Sequence, residues 1–226
     1  MSLVPAYIDA MDVYVPGRNP EDVRRCYQLD RTIKLASNEN PLGASPAAIE
    51  TIRKHAEQIH LYPPGGLRLR ELLAEQHDLT PNNVIVGSGS DSLLANIVRT
   101  FLCDDDEILT TEAAFIGFQV LAKSRGVPYR TVPYRNWRYA LDALAAAVTE
   151  RMKIIYLANP NNPTGTIFTC SEFENLYRHV PERVLIILDE AYFEYAKDNS
   201  NYPDSMHYRF DNVITLRTFS KVYGLA

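Results

Sequence analysis

From residue 83 to residue 216 the chain alternates short apolar runs with longer amphipathic stretches, and this alternation restricts its fold more than any other feature. The apolar runs span 83–86, 107–110, 129–132, 153–157, 184–188 and 213–216. Runs of four or five residues rich in Val, Ile, Leu, Thr and Tyr read as strands. Helical spacing fills most of the gaps, near 91–102, 115–125, 140–149 and 171–179. Strands that are apolar throughout are buried on both faces, and strands joined through helices lie parallel. The expected class is therefore α/β: three layers, a mostly parallel sheet with helices on both faces. The stretch 193–211 breaks the rhythm; it is polar and aromatic and reads as a long excursion holding one helical turn.

Upstream the pattern differs. Residues 1–30 are rich in Pro, Asp and Arg and read as an N-terminal arm with one short helix near 20–27, of the kind that packs on a partner subunit. Ser45-Pro46 opens a helical pattern to about residue 58, Pro63-Pro64-Gly65-Gly66 breaks it, and 67–77 reads as a second helix. The domain reading is an arm, 1–30, followed by one large domain, 31–226.

Composition narrows the function classes. With 226 residues, 46% of them hydrophobic, the chain can bury a substantial core. Its net charge is −5 and its basic residues are scattered, so no nucleic-acid surface is expected. Cys26, Cys103 and Cys170 form no Cys-x-x-Cys pair, which argues against a disulfide framework or a zinc site and suits a reduced, cytoplasmic setting. Asp9, Asp12 and Pro16 interrupt what would have to be the apolar core of a leader peptide, and no later run approaches membrane-spanning length.

Three polar clusters directly follow apolar runs: Asn161-Asn162-Pro163-Thr164-Gly165, Asp189-Glu190-Ala191-Tyr192 and Thr218-Phe219-Ser220-Lys221. In an open parallel sheet the carboxyl ends of the strands share one edge, so three such clusters point to one site. Asp189 there is a partly desolvated carboxylate that calls for a cationic partner. Metal is one candidate, but no histidine lies near Asp189 or Asn162, and a protonated heterocyclic nitrogen matches better. Pyridoxal phosphate carries such a nitrogen and needs a carboxylate to keep it charged. Under that reading Tyr192 and Asn162 would hydrogen-bond the ring oxygen, and Phe115 would stack on the ring. Lys221, beside two hydroxyls, suits a Schiff base next to a phosphate and a proton shuttle at the substrate's α-carbon. Gly87-Ser88-Gly89-Ser90-Asp91 opens a helix whose free amides near Ser90 and Asp91 suit an anion, with Ser220 and Thr218 adding hydroxyls. Taken singly, each feature has a plainer reading: a helix cap or ion pair for Asp189, a solvated lysine for Lys221, ordinary core for Phe115 and a ligand-free turn for 87–91.

In this order the motifs resemble the class I/II, fold-type I pyridoxal-phosphate aminotransferases. Ser37-Asn38-Glu39-Asn40-Pro41-Leu42-Gly43 and Tyr62-Pro63 tilt the likeness toward the histidinol-phosphate aminotransferase branch. The resemblance implies Lys221 as Schiff-base lysine, Asp189 on the pyridine nitrogen, Tyr192 and Asn162 on the ring oxygen and Phe115 stacked on the ring. It further implies Ser90, Asp91 and Ser220 on the phosphate, and Tyr62 reaching the phosphate of the other subunit of a homodimer. The implied reaction passes an amino group from glutamate to imidazole-acetol phosphate, giving histidinol phosphate for histidine synthesis. Two positions depart from the family: Ala113-Ala114-Phe115 stands where Pro-Thr and a tyrosine are usual, and Pro64 where an acidic residue commonly follows Tyr-Pro. The family continues past Gly224-Leu225-Ala226 into a phosphate-binding arginine, a further strand and a small C-terminal domain. The chain is thus expected to be the large cofactor-binding domain without that small domain, inactive by itself. A decarboxylase of a phosphorylated amino acid and a noncatalytic α/β domain are the competing expectations.

Overall fold

The computed structural model describes residues 2–13 and 17–226, so Pro16, one of the residues set against a leader peptide, lies outside the described part. Five strands form one sheet: β1 Glu107–Thr111, β2 Tyr129–Val132, β3 Met152–Ala158, β4 Leu185–Asp189 and β5 Val213–Leu216. Their order is β2-β1-β3-β4-β5, and every neighbouring pair is parallel. Eight α-helices accompany them among the described residues: α1 Ala6–Asp9, α2 Pro20–Tyr27, α3 Pro46–His55, α4 Leu67–Gln76, α5 Gly89–Phe101, α6 Ile116–Arg125, α7 Leu141–Ala146 and α8 Cys170–His179.

Side chains alternate across a strand, so an apolar run feeds two cores. Ile108, Ile154, Tyr156, Leu185 and Ile187 face α5 and α6, where they meet Leu94, Ile97, Val98, Phe118 and Ala122. Phe118 stacks on Tyr156 with ring centroids 4.1 Å apart. Leu109, Ile155, Leu157, Ile186 and Leu188 face α7 and α8 and meet Leu141, Leu144, Phe173 and Leu176. The three-layer α/β expectation is borne out. At the amino ends of the strands the buried Glu107 binds Arg130 of β2 at 2.6 Å and Arg151, just before β3, at 3.4 Å, so one carboxylate fastens three strands. That pairing holds the Glu107 carboxyl below the usual range against the opposing effect of burial.

Helix boundaries follow local chemistry. α8 opens with a capping box in which Thr169 accepts from the Glu172 amide while the Glu172 carboxylate takes the Thr169 amide. α6 stops at Gly126, whose φ of 80° suits a residue without Cβ. A Cβ there would also stand 2.8 Å from the Tyr7 ring, so α1 seats against the end of α6. No residue of α1, α2 or α3 is buried, and none of the described residues among the first sixty enters the core.

One strand expectation is corrected. Residues 83–86 follow a 3-10 turn over Pro81–Asn83, and Val84 is extended, but no described strand lies beside them. Extended backbone becomes a strand only when a neighbour completes the ladder. Here the Val84 carbonyl accepts from Arg70 Nε at 2.7 Å, and Ile85 is 76% exposed. The excursion after β4 contains two 3-10 turns, Phe193–Tyr195 and Ser205–His207, where one helical turn was expected. The two apolar runs should therefore respond differently to truncation. Ile187→Ala, in the middle of β4, should destabilise by about 2–5 kcal/mol in urea unfolding, and Ile85→Ala by less than about 0.5 kcal/mol.

Candidate active site

Because β3, β4 and β5 are parallel, their carboxyl ends open on one edge. A cavity of about 610 Å³ lies there. It is lined by Ser90 and Asp91 from the start of α5, Phe115 from the start of α6, and Asn162 after β3. Asp189 and Tyr192 line it from the end of β4, and Thr218, Ser220 and Lys221 from beyond β5. Of the catalytic and cofactor-binding residues expected from the sequence, Tyr62 alone is absent from this lining, and it is 97% exposed.

Asp189 ends β4 and is 5% exposed. Its Oδ2 accepts from the Tyr156 hydroxyl at 2.6 Å and its Oδ1 from the Ala191 amide at 3.2 Å. Burial pushes its pKa above the usual carboxylate range, and these two bonds pull it partly back. No ion pair among the described residues includes Asp189, although it faces the cavity. Hydrogen bonds that favour the anion, combined with burial and only the more distant charge of Lys221, make a place where a further positively charged group would be stabilised.

Lys221 is half-buried, and its Nζ donates to the Ser37 carbonyl at 3.1 Å and lies 5.8 Å from the Tyr192 ring centre. Asn38 Nδ2 donates to the Tyr192 hydroxyl at 2.8 Å. Burial raises the Tyr192 pKa and the bond from Asn38 lowers it. Farther along, Asn40 Nδ2 donates to the Val222 carbonyl at 2.7 Å. At Gly224, φ is +66° and a Cβ would collide with the Gly43 backbone at 2.7 Å. Residues 37–43 thus clasp the lysine turn. The sequence marked 37–43 as a motif but not as a clasp, since the contacts bridge 154 to 184 residues.

The remaining lining is suited to an anion and a flat ring. α5 starts without a side-chain cap from Ser88, leaving its first amides open to an anion. Thr218 Oγ1 donates to Ser220 Oγ at 3.0 Å and accepts from the Ser220 amide at 3.1 Å, which folds both hydroxyls into one turn. Phe115 caps α6 and folds back over Gly117, where a Cβ would stand 2.6 Å from its ring. Gly117 is thus a requirement for the ring's placement that sequence reasoning missed. Ala113, at φ 50°, turns the chain just before it. A second cavity of about 580 Å³ shares Asn162 and Tyr192 with the first and adds Asn38, Glu39, Asn161 and Tyr195. Asn161 Oδ1 is buried there without a hydrogen-bond partner. Among the described residues no His, Cys, Asp and Glu cluster could hold a metal ion, the three cysteines are free, and no helix is long and apolar enough to cross a membrane.

The unpaired state of Asp189 has a thermodynamic signature. A carboxyl raised by burial gives stability that is full below its ordinary value of 3.8 and is lost as pH rises through the raised value. Asp189→Asn should therefore raise the melting temperature of the ligand-free chain at neutral pH and flatten its decline from pH 4 to 8, as followed by circular dichroism.

The aminotransferase class I and II family profile matches residues 30–226. A histidinol-phosphate aminotransferase from Anaeromyxobacter sp. (strain Fw109-5) is 42% identical over 230 residues, an alignment covering 100% of this chain and 63% of that protein. One from Moorella thermoacetica is 42% identical over 217 residues, covering 94% of this chain and 56% of that protein. The crystal structure of histidinol-phosphate aminotransferase from Sinorhizobium meliloti in complex with pyridoxal-5′-phosphate superposes with a TM-score of 0.86 at 31% identity. That alignment covers 100% of this chain and 60% of the other. The chain spans about three fifths of the length of the relatives it matches. Both the match along 30–226 and the identity over the whole chain lead to one assignment: the chain belongs to the class I and II aminotransferase family.

Proposed function

We propose that residues 31–226 are the pyridoxal-phosphate-binding large domain of an aminotransferase, preceded by an arm over 1–30, and that the reaction is histidinol-phosphate transamination. The observation that carries this reading is Asp189: a buried carboxylate in no ion pair among the described residues, facing the same cavity as Lys221. The relatives' names and the pyridoxal-phosphate complex of one of them support the finer assignment.

Pyridoxal 5′-phosphate supplies, when bound, an aldehyde that captures amines and a protonated ring that draws electrons from the substrate's α-carbon. The chain's residues have distinct tasks around it. Asp189 holds the proton on the ring nitrogen, where Tyr156 keeps the carboxylate oriented. Tyr192 and Asn162 hydrogen-bond the ring oxygen, and the bond from Asn38 fixes the Tyr192 hydroxyl. Phe115, which lines the cavity, would stack on the ring. The amides at Ser90 and Asp91 and the hydroxyls of Thr218 and Ser220 hold the phosphate. Lys221, with its amine in the same cavity, would hold the cofactor's aldehyde and, once released, serve as the proton carrier between the substrate's α-carbon and the cofactor. Glutamate and imidazole-acetol phosphate would leave as 2-oxoglutarate and histidinol phosphate, so the small-molecule partners are an amino acid and a keto compound. The second cavity gives a bound substrate room to extend past Tyr192.

Exposed Leu35, Leu42, Ile59 and Tyr62 favour a homodimer in which Tyr62 serves the neighbouring cofactor, and the free cysteines favour a cytoplasmic setting. The test is titration of the purified chain with pyridoxal phosphate, borohydride reduction and peptide mapping. The expected result is a pyridoxyl mass on Lys221 that disappears in Lys221→Ala, with formation of 2-oxoglutarate from glutamate when imidazole-acetol phosphate is added to the full-length protein. Adducts spread evenly over the other lysines would overturn the reading.

A further inference from the structure

Pairing of β4 with β5 ends at Asp189 opposite Leu216. The turn bearing Thr218, Ser220 and Lys221 lies beyond it, so the strand ladder cannot fix that turn against Asp189. Arg217 is the first residue past the ladder, and its side chain takes a different course from those of its neighbours in the cavity. Its Nη2 meets Glu190 Oε2 at 2.8 Å and Asp204 Oδ1 at 2.6 Å, and its Nε meets the same Glu190 oxygen at 3.1 Å. The guanidinium carbon sits 3.4 Å from the centre of the Phe193 ring.

Glu190 is 1% exposed and directly follows Asp189. Its amide donates to the Leu216 carbonyl at 2.9 Å, and its Oε1 accepts from the Ser205 amide at 3.0 Å. Ser205 Oγ in turn bonds Thr215 Oγ1 at 2.6 Å. Burial pushes the Glu190 carboxyl up to about 7, and Arg217 is the largest influence pulling it back. One planar cation therefore joins the end of β4, the first residue after β5, and the excursion that follows β4. A guanidinium fork fixes direction as well as distance, which an ammonium does not.

We propose that Arg217, through Glu190 and Asp204, is a positioning residue that sets the Lys221 turn against Asp189 and so decides whether Lys221 captures an aldehyde held in the cavity. The inference rests on the cofactor reading above. A purely structural ion cluster would contribute only stability, and an apolar replacement of similar volume can supply that equally well. Stability and capture are thus separable.

The experiment compares the unsubstituted chain with Arg217→Lys, Arg217→Met and the apolar pair Glu190→Leu with Arg217→Met. Each is treated with pyridoxal phosphate and borohydride, the pyridoxyl mass on Lys221 is measured relative to that on Lys54 and Lys123, and melting temperature is followed in parallel. The expected result is that the apolar pair melts close to the unsubstituted chain, while selective capture at Lys221 falls about tenfold or more in it and in Arg217→Lys. Arg217→Met alone leaves Glu190 buried without its cation and should melt lowest; if it does not fold, the other two variants carry the comparison. Capture that returns with stability in the apolar pair, or that stays within about twofold of the unsubstituted chain in Arg217→Lys, overturns the positioning role and leaves the cofactor reading standing. Absence of a selective Lys221 adduct on the unsubstituted chain sinks the cofactor reading and this inference with it.

Discussion

The parallel ladder of β3, β4 and β5 is the constraint on which the rest depends. Parallel strands end on one edge, so residues 159–162, 189–192 and 218–221, distant along the chain, meet around one cavity. The ladder exists because the strands are apolar on both faces, and both faces are covered by helices. Burying Asp189 is possible only in that setting. The same desolvation that makes its charge costly makes a cation in the cavity valuable, so the core's stability and the site's chemistry have one origin.

Beyond the ladder the polypeptide changes its means of support. Within the sheet, backbone hydrogen bonds set the register; past Leu216 the chain is held by side chains. Arg217 reaches Glu190 and Asp204 and Asn40 reaches the Val222 carbonyl, while within the excursion after β4 Tyr202 donates to the Asn159 carbonyl at 2.5 Å. The excursion after β4 is therefore an ordered part of the site's support, even though its only regular elements are two 3-10 turns.

Much of this was legible in the sequence, and the remainder was hidden for physical reasons. The runs at 107–110, 129–132, 153–157, 184–188 and 213–216 announced their strands because full burial leaves an unbroken apolar signal. The run at 83–86 carried the same signal without becoming a strand, because pairing depends on a neighbour that local composition does not specify. The polar clusters disclosed the cavity because strand-end placement follows from topology alone. Gly117 escaped notice, and Ser37 and Asn38 were noticed only as part of a family-like motif, because their importance lies in contacts that composition does not encode. Tyr62 stands apart from the cavity, and nothing within one chain assigns it a task.

Ser37 and Asn38 stand consecutively in left-handed backbone, at φ 69° and 51°. Such a conformation costs roughly 1–2 kcal/mol at an ordinary residue and less at asparagine. Against that cost stand the charge-assisted bond from Lys221, of a kind worth roughly 1.5–3 kcal/mol, and the bond to Tyr192, worth about 1 kcal/mol net. The Asn40 bond to the Val222 carbonyl holds the same segment farther along, so the lysine amine is one of several restraints on it. The chain laid across the lysine turn is thus fastened in part by the amine it covers.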